Sequence, residues 1–215
     1  MKPRTVHFAV AGGLALAAAL PGCVNLTKGY PEKRYYVIRA QPRAVEARPG
    51  DENGEKEILK VGRFRVSPLY EGKEFVYRRD DLGYQSDFYN VFFISPGSLI
   101  TEEVRRWLAG SGRFQHVMDP ASQAAAALLL EGAVSSLYGD FRVEKSPRAV
   151  LEIQAILMRN AEGGGKVIFK KDYRQETALP DRSPAALARG WSEGLERILT
   201  ELEEDLKDAV KDGGR

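Results

Sequence analysis

Residues 149–158 alternate apolar and polar with period two. Ala149, Leu151, Ile153, Ala155 and Leu157 fall on one side, with Glu152 and Gln154 on the other. That spacing predicts a half-buried antiparallel strand. Leu128–Tyr138 reads as the strand before it. Val167–Tyr173 follows as its hairpin partner across the glycine-rich turn 160–165, giving a three-strand meander. From Ser183-Pro184 the period lengthens. Leu187, Trp191, Leu195, Ile198, Leu199, Leu202, Leu206 and Val210 recur every three or four positions, predicting a helix about 40 Å long. Ser183 is its expected N-cap, Pro184 its first residue, and Gly213-Gly214 its stop.

The first half is less regular. Strands are expected at Tyr35–Ile38, Ile58–Val66, Phe75–Arg78 and Phe88–Ile94, with Gly62 marking a bulge where the second changes facing. Ser98 is the expected N-cap of a helix reaching Ala109, with Ile100, Val104, Trp107 and Leu108 on one face. Glu102 and Arg106 sit four apart on its solvent side, a spacing that favours an ion pair. Phe114–Met118 reads as a short strand, and a helical turn is expected at Pro120–Ala126. Residues 41–57, rich in Pro, Arg, Glu, Asp and Gly, read as an exposed loop. Two helices with one apolar face each need a sheet to cover. The expected fold is therefore α+β, a single domain over residues 35–212 whose mostly antiparallel or mixed sheet is covered by two amphipathic helices.

The N-terminus changes the picture. Lys2 and Arg4 precede the apolar run Phe8–Leu20, which is too short for a stable membrane span. Leu20-Pro21-Gly22-Cys23 then resembles the lipobox of bacterial lipoproteins. Residues 1–22 are thus expected to be a lipoprotein signal peptide. Cys23 would carry a diacylglyceryl group on sulfur and an N-acyl group, and residues 23–34 would form the lipidated tether. Cys23 is the only cysteine, so no internal disulfide can form, and acylation removes a free thiol from an exported chain. Each buried methylene contributes about 0.8 kcal/mol, so two or three acyl chains hold a protein on a membrane without spanning it. The densest later apolar stretch, Ala124–Leu130, is far shorter than a span.

Charge and chemistry mostly exclude. The chain has 32 basic and 30 acidic residues, and loss of Lys2 and Arg4 with the signal leaves 30 of each. A balanced mature chain of 193 residues, with no basic run interleaved with aromatics, is not built for nucleic acid. After signal removal His116 is the sole histidine, and no Gly-x-Ser-x-Gly elbow is present, so no catalytic residues are assigned. One histidine and one acylated cysteine make no metal site. Gly163-Gly164-Gly165-Lys166 lacks the leading glycine and the Ser or Thr of a phosphate loop and is read as a hairpin turn. Glu203, Glu204 and Asp205 are read as a solvated helix face. No cofactor is expected beyond the acyl groups on Cys23.

One cluster stands out. Seven of the 20 aromatic residues lie between Phe75 and Phe93, and the run 88–94 carries large apolar groups on both faces. Either that strand is covered on both sides or one side meets a partner. Tyr84, Phe88 and Tyr89 are the candidate partner-interface residues.

Several segments together resemble the ABC-type transport auxiliary lipoprotein family, which includes the paraquat-inducible protein C group. They are Tyr35-Tyr36-Val37-Ile38, Phe64-Arg65-Val66-Ser67-Pro68-Leu69-Tyr70, Phe75-Val76-Tyr77-Arg78, the stretch from Pro96 to Ser111-Gly112-Arg113-Phe114, and the final Ala- and Leu-rich helix. Their order and spacing behind the lipobox carry the resemblance over most of the mature chain. Where many family members have a Trp-centred motif, this chain has Tyr84, Phe88 and Tyr89. The resemblance implies a non-enzymatic periplasmic adaptor, lipid-anchored at the outer membrane. Its implied partner is an MCE-domain protein (mammalian cell entry) that bridges the periplasm for an ABC lipid transporter. It also implies ring-like homo-oligomers. Val24, rather than Asp, after Cys23 fits outer-membrane sorting. A different class of function is an outer-membrane lipoprotein that regulates a cell-wall synthase, against which the tether's reach of only about 35 Å argues. A lipid-anchored hydrolase lacks the catalytic groups it would need.

Overall fold

The computed structural model describes residues 32–41, 56–161 and 164–212. The signal peptide, Cys23, most of the tether, most of the loop 41–57 and Gly213-Gly214 lie outside the described residues. The elements described all belong to one unit that begins at Lys33.

The sheet is organised around one long strand. Strand β7 (Leu128–Asp140) pairs antiparallel with β8 (Arg148–Ala161), which pairs antiparallel with β9 (Gly164–Ala178). Along the opposite edge of β7 run three short strands in succession, all parallel to it: β2 (Ile58–Val61), β3 (Arg65–Val66) and β4 (Glu74–Arg78). Two branches extend the sheet from there. At one end β6 (His116–Met118) adds parallel to β2. At the other, β5 (Tyr84–Phe92) adds antiparallel to β4, and β1 (Arg34–Tyr36) lies parallel to β5. Among the described residues this is a nine-stranded mixed sheet with two helices, the α+β architecture expected.

The helices are α1 (Pro96–Gly110) and α2 (Pro184–Asp212), the latter about 43 Å long at 1.5 Å per residue. Two glycines show which face α2 covers. A Cβ on Gly139 of β7 would lie 2.9 Å from a Leu187 methyl carbon, and one on Gly190 of α2 would lie 2.7 Å from the Cβ of Ala149 on β8. Gly139 and Ala149 therefore face the helix. Their neighbours Tyr138 and Val150 face the other way, because successive side chains alternate across a strand. The core between sheet and α2 centres on Trp191, which is fully buried. Its ring meets Phe75 edge-on at 4.9 Å and Phe92 at 5.4 Å, and its indole N–H donates to the Val150 carbonyl at 3.2 Å. All five residues on the apolar side of β8, from Ala149 to Leu157, are buried, as their alternation predicts.

Several local expectations are corrected. The first helix starts earlier, because Pro96 fills the N-terminal position where no N–H is needed. Ser95 rather than Ser98 is its cap and accepts the Ser98 N–H at 3.4 Å. Glu102 pairs with Arg105, while Arg106 turns to Glu103 and to the Ala40 carbonyl. No helical turn forms at 120–126. Asp119 instead holds a turn, its carboxylate accepting the Ala121 N–H and its carbonyl the Ser122 N–H. The strand expected over Ile58–Val66 breaks instead of bulging at Gly62: β2 ends at Val61 and β3 starts at Arg65, and the buried positions shift from Leu59 and Val61 before the break to Phe64 within it. Of the 203–205 carboxylates only Glu204 lies on a solvated face; Glu203 and Asp205 are largely covered. Glu203 accepts from the Trp107 indole at 2.9 Å and from Arg113, and Glu204 accepts from Arg113. Asp205 accepts the Tyr173 hydroxyl at 2.6 Å and pairs with Lys171. They join α2 to α1, to the loop after α1 and to β9.

Candidate partner interface

Strands β4 and β5 pair regularly from Arg78–Tyr84 to Phe75–Asp87, and the next pair is Glu74–Val91. Phe88, Tyr89 and Asn90 therefore stand out of the ladder as a bulge, a device that re-aims side chains. One carboxylate holds it. Asp87 Oδ1 accepts the backbone N–H groups of Tyr89 at 2.9 Å and Asn90 at 3.0 Å. Its Oδ2 accepts the Tyr77 hydroxyl at 2.6 Å and the Asn90 amide at 2.8 Å. Burial raises the Asp87 pKa, but the donors from Tyr77, Asn90 and Tyr89 outweigh it and hold the carboxyl below its ordinary value. Burial, and then the bond to Asp87, push the Tyr77 phenol well up, so it stays protonated and donates. Asn90 is braced from the other side, where its carbonyl oxygen accepts the Tyr36 hydroxyl at 3.3 Å.

The bulge presents two aromatic rings to solvent. Phe88 is 64% exposed and Tyr89 40%, and their rings meet edge-on at 5.2 Å. The Lys33 ammonium sits 4.2 Å from the centre of the Phe88 ring, a cation–π contact. Beside them, Tyr35 of β1 meets Phe93 edge-on at 6.0 Å, and both are exposed, as are Val37 and Ile94. Val91 and Phe92 are buried. Phe92 packs against Trp191 on the α2 face, and around it this end of the sheet carries Tyr35, Phe93 and the two bulge rings into solvent. Exposed apolar groups gathered in this way mark interaction surfaces.

Tyr84 stands apart from this pair. It lies at the opposite end of the β4–β5 hairpin, opposite Arg78, whose guanidinium is 5.8 Å from its ring centre. Its ring meets Tyr70 at 6.4 Å and Tyr138 at 5.9 Å, while Tyr70 stacks on Tyr138 at 5.8 Å. Tyr70 and Tyr138 are buried on the face away from α2, so Tyr84 helps pin the loop 67–73 over that face. Burial and then a hydrogen bond with Tyr84 push the Tyr70 phenol up. Of the three candidate residues, the structure joins Phe88 to Tyr89 and sets Tyr84, itself 37% exposed, apart from them against Tyr70 and Tyr138. Asp87, the group that builds the site, escaped the sequence reading. Its signal is the aspartate itself, whose side chain can accept from the backbone two residues on, here the Tyr89 N–H.

His116 is exposed at the start of β6. Among the described residues no group of three His, Cys, Asp or Glu side chains is placed to hold a metal, and no helix is long and apolar enough to cross a membrane.

No protein-family model matches the chain, and no curated protein matches it in sequence. Solved structures do. Protein XCC0632 from Xanthomonas campestris, of the DUF330 family, superposes with a TM-score of 0.73 at 15% identity, over 84% of this chain and 98% of that one. A second, described only as an uncharacterized protein, gives 0.63 at 12% identity over 81% and 99%. The hypothetical protein CT253 from Chlamydia trachomatis gives 0.50 at 12% identity over 73% and 98%. At such identities the likeness is one of fold: nearly the whole of each of these three proteins has its counterpart here.

Proposed function

We propose that this chain is a non-enzymatic, lipid-anchored adaptor on the periplasmic side of the outer membrane, docking the MCE-domain bridge of an ABC-type lipid transporter through the Phe88–Tyr89 bulge. The observation that carries the reading is the bulge itself. Four hydrogen bonds to one carboxylate hold the backbone of a bulge that carries two exposed aromatic rings. Rigid aromatic side chains contribute much contact area at little entropic cost when they bind. The N-terminal segment ending in Cys23 supports the anchor, and the ordered series of segments from Tyr35 to the last helix supports the family. The fold shared with the DUF330 protein is compatible with both. No chemistry is assigned to the domain; its work is placement.

Recovery of partners from detergent-solubilised envelopes tests the reading. Enrichment of an MCE-domain protein supports it. Enrichment of a peptidoglycan synthase would instead favour the regulator role, and enrichment of neither would remove the adaptor account.

A further inference from the structure

The opposite edge of the sheet carries an independent feature. Strand β9 runs from Gly164 to Ala178 and pairs along its length with β8. Among the described residues no strand lies on its other side. An unpaired edge of that length is a template for a further strand unless its charges forbid one. Here the charges specify a partner. Even-numbered residues from Lys170 onward project from the face away from α2 in the order Lys170, Asp172, Arg174, Glu176, because their odd-numbered neighbours Tyr173 and Thr177 are buried on the α2 side. We propose that β9 pairs antiparallel with β9 of a second copy of this chain, about a two-fold axis at Tyr173.

In that register Lys170 of one chain faces Glu176 of the other, and Asp172 faces Arg174, twice over by symmetry. Sliding the register by two residues, the smallest step that keeps the faces matched, reverses the pattern. One direction sets Arg174 against Arg174 and Asp172 against Glu176. The other sets Asp172 against Asp172 and Lys170 against Arg174. Opposed like charges disfavour both. The remaining edge lysine in the paired region, Lys171, is held by Glu201 and Asp205 of its own chain at 2.8 Å and faces the neutral Gln175. Within one chain Arg174 and Glu176 already bind each other at 2.8 Å, with Glu152 and Arg148 alongside. Their side chains remain 46% and 36% exposed, within reach of a facing strand. Such a contact is isologous, so it closes at two chains and does not itself generate a ring.

Sedimentation of the full chain in detergent, with two paired variants, tests this. One variant carries Lys170→Glu with Asp172→Arg, and the other Arg174→Asp with Glu176→Lys. The wild type should sediment as two chains per particle and each variant alone as one. An equimolar mixture of the two should recover the two-chain particle, because only unlike variants present opposite charges. A one-chain wild type, a particle whose mass ignores both variants, or a mixture that stays dissociated while both variants melt like the wild type would overturn the proposal. Oxidation of the Asp172→Cys, Arg174→Cys chain in envelopes gives a second readout. A disulfide-linked dimer is expected, and its absence counts against the pairing even if a charge variant fails to fold.

Discussion

The Tyr77 hydroxyl donates to the Asp87 carboxylate at 2.6 Å, tying the middle of β4 to the residue from which the β5 bulge departs. One contact thus links a buried strand to the exposed aromatic pair. Stability should reflect it. Tyr77→Phe removes a bond to a charged group, for which a loss of about 1.5–3 kcal/mol is ordinary, read as a lower urea midpoint.

The same carboxylate gives a pH dependence of definite sign. The folded pKa of Asp87 lies below its unfolded value, so the native state holds fewer protons there and gains stability from the ionised form. That gain is complete above the unfolded pKa, about 3.9 for an aspartate, and is lost as pH falls through the lower folded value. Asp140 and Glu176, lowered by hydrogen bonds from Arg142 and Arg174 respectively, add acid sensitivity in the same sense. Asp87→Asn should lose stability at neutral pH and show a shallower further loss between neutrality and pH 3 than the wild type. Urea midpoints measured across that range check it. A parallel fall in both proteins would separate the bulge from the titration.

How much of this was legible in advance follows from which interactions are local. The β8 alternation and the 3.6-residue rhythm from Leu187 to Leu206 are local patterns, and both elements stand as read. The fork of the sheet was not readable, because laying β2, β3 and β4 along one edge of β7 depends on contacts between residues far apart in sequence. Ser95 and Ser98 are both good caps, and Pro96 between them decides the start of α1. Glu203 and Asp205 read as solvated because their partners, Trp107, Arg113 and Tyr173, come from other elements. Phe88 and Tyr89 were visible as aromatic density, whereas their exposure depends on a bulge whose clamp, Asp87, is one polar residue in a strand.

A second long-range tie concerns the chain after β1. The Glu103 carboxylate, buried on α1, accepts the Ala40 N–H at 2.8 Å and binds Arg106, which also donates to the Ala40 carbonyl. Glu103→Ala leaves a buried N–H without its acceptor and should cost about 1–3 kcal/mol. Glu103→Gln keeps an acceptor oxygen and should cost less. Thermal unfolding of the two variants side by side checks the order.

Packing between α2 and the sheet should be sensitive to one methyl group. A Cβ at Gly190 would fall 2.5 Å from a Leu179 methyl carbon and 2.7 Å from the Cβ of Ala149, and the latter sits on a strand that cannot easily move. Gly190→Ala improves helix propensity yet should destabilise by about 1–3 kcal/mol through overpacking. A raised melting temperature would contradict this placement of the helix.

The central claim is that a partner subunit meets the aromatic pair on the bulge. Phe88→Ser with Tyr89→Ser changes two exposed rings, so the melting temperature should hold within a degree or two, as for surface substitutions generally. The decisive measurement is the amount of MCE-domain protein recovered with this double variant from solubilised envelopes, relative to wild type at equal expression. The account predicts at least a tenfold loss, the effect of removing about 1.4 kcal/mol or more of contact. Undiminished recovery from a normally folded variant would contradict it.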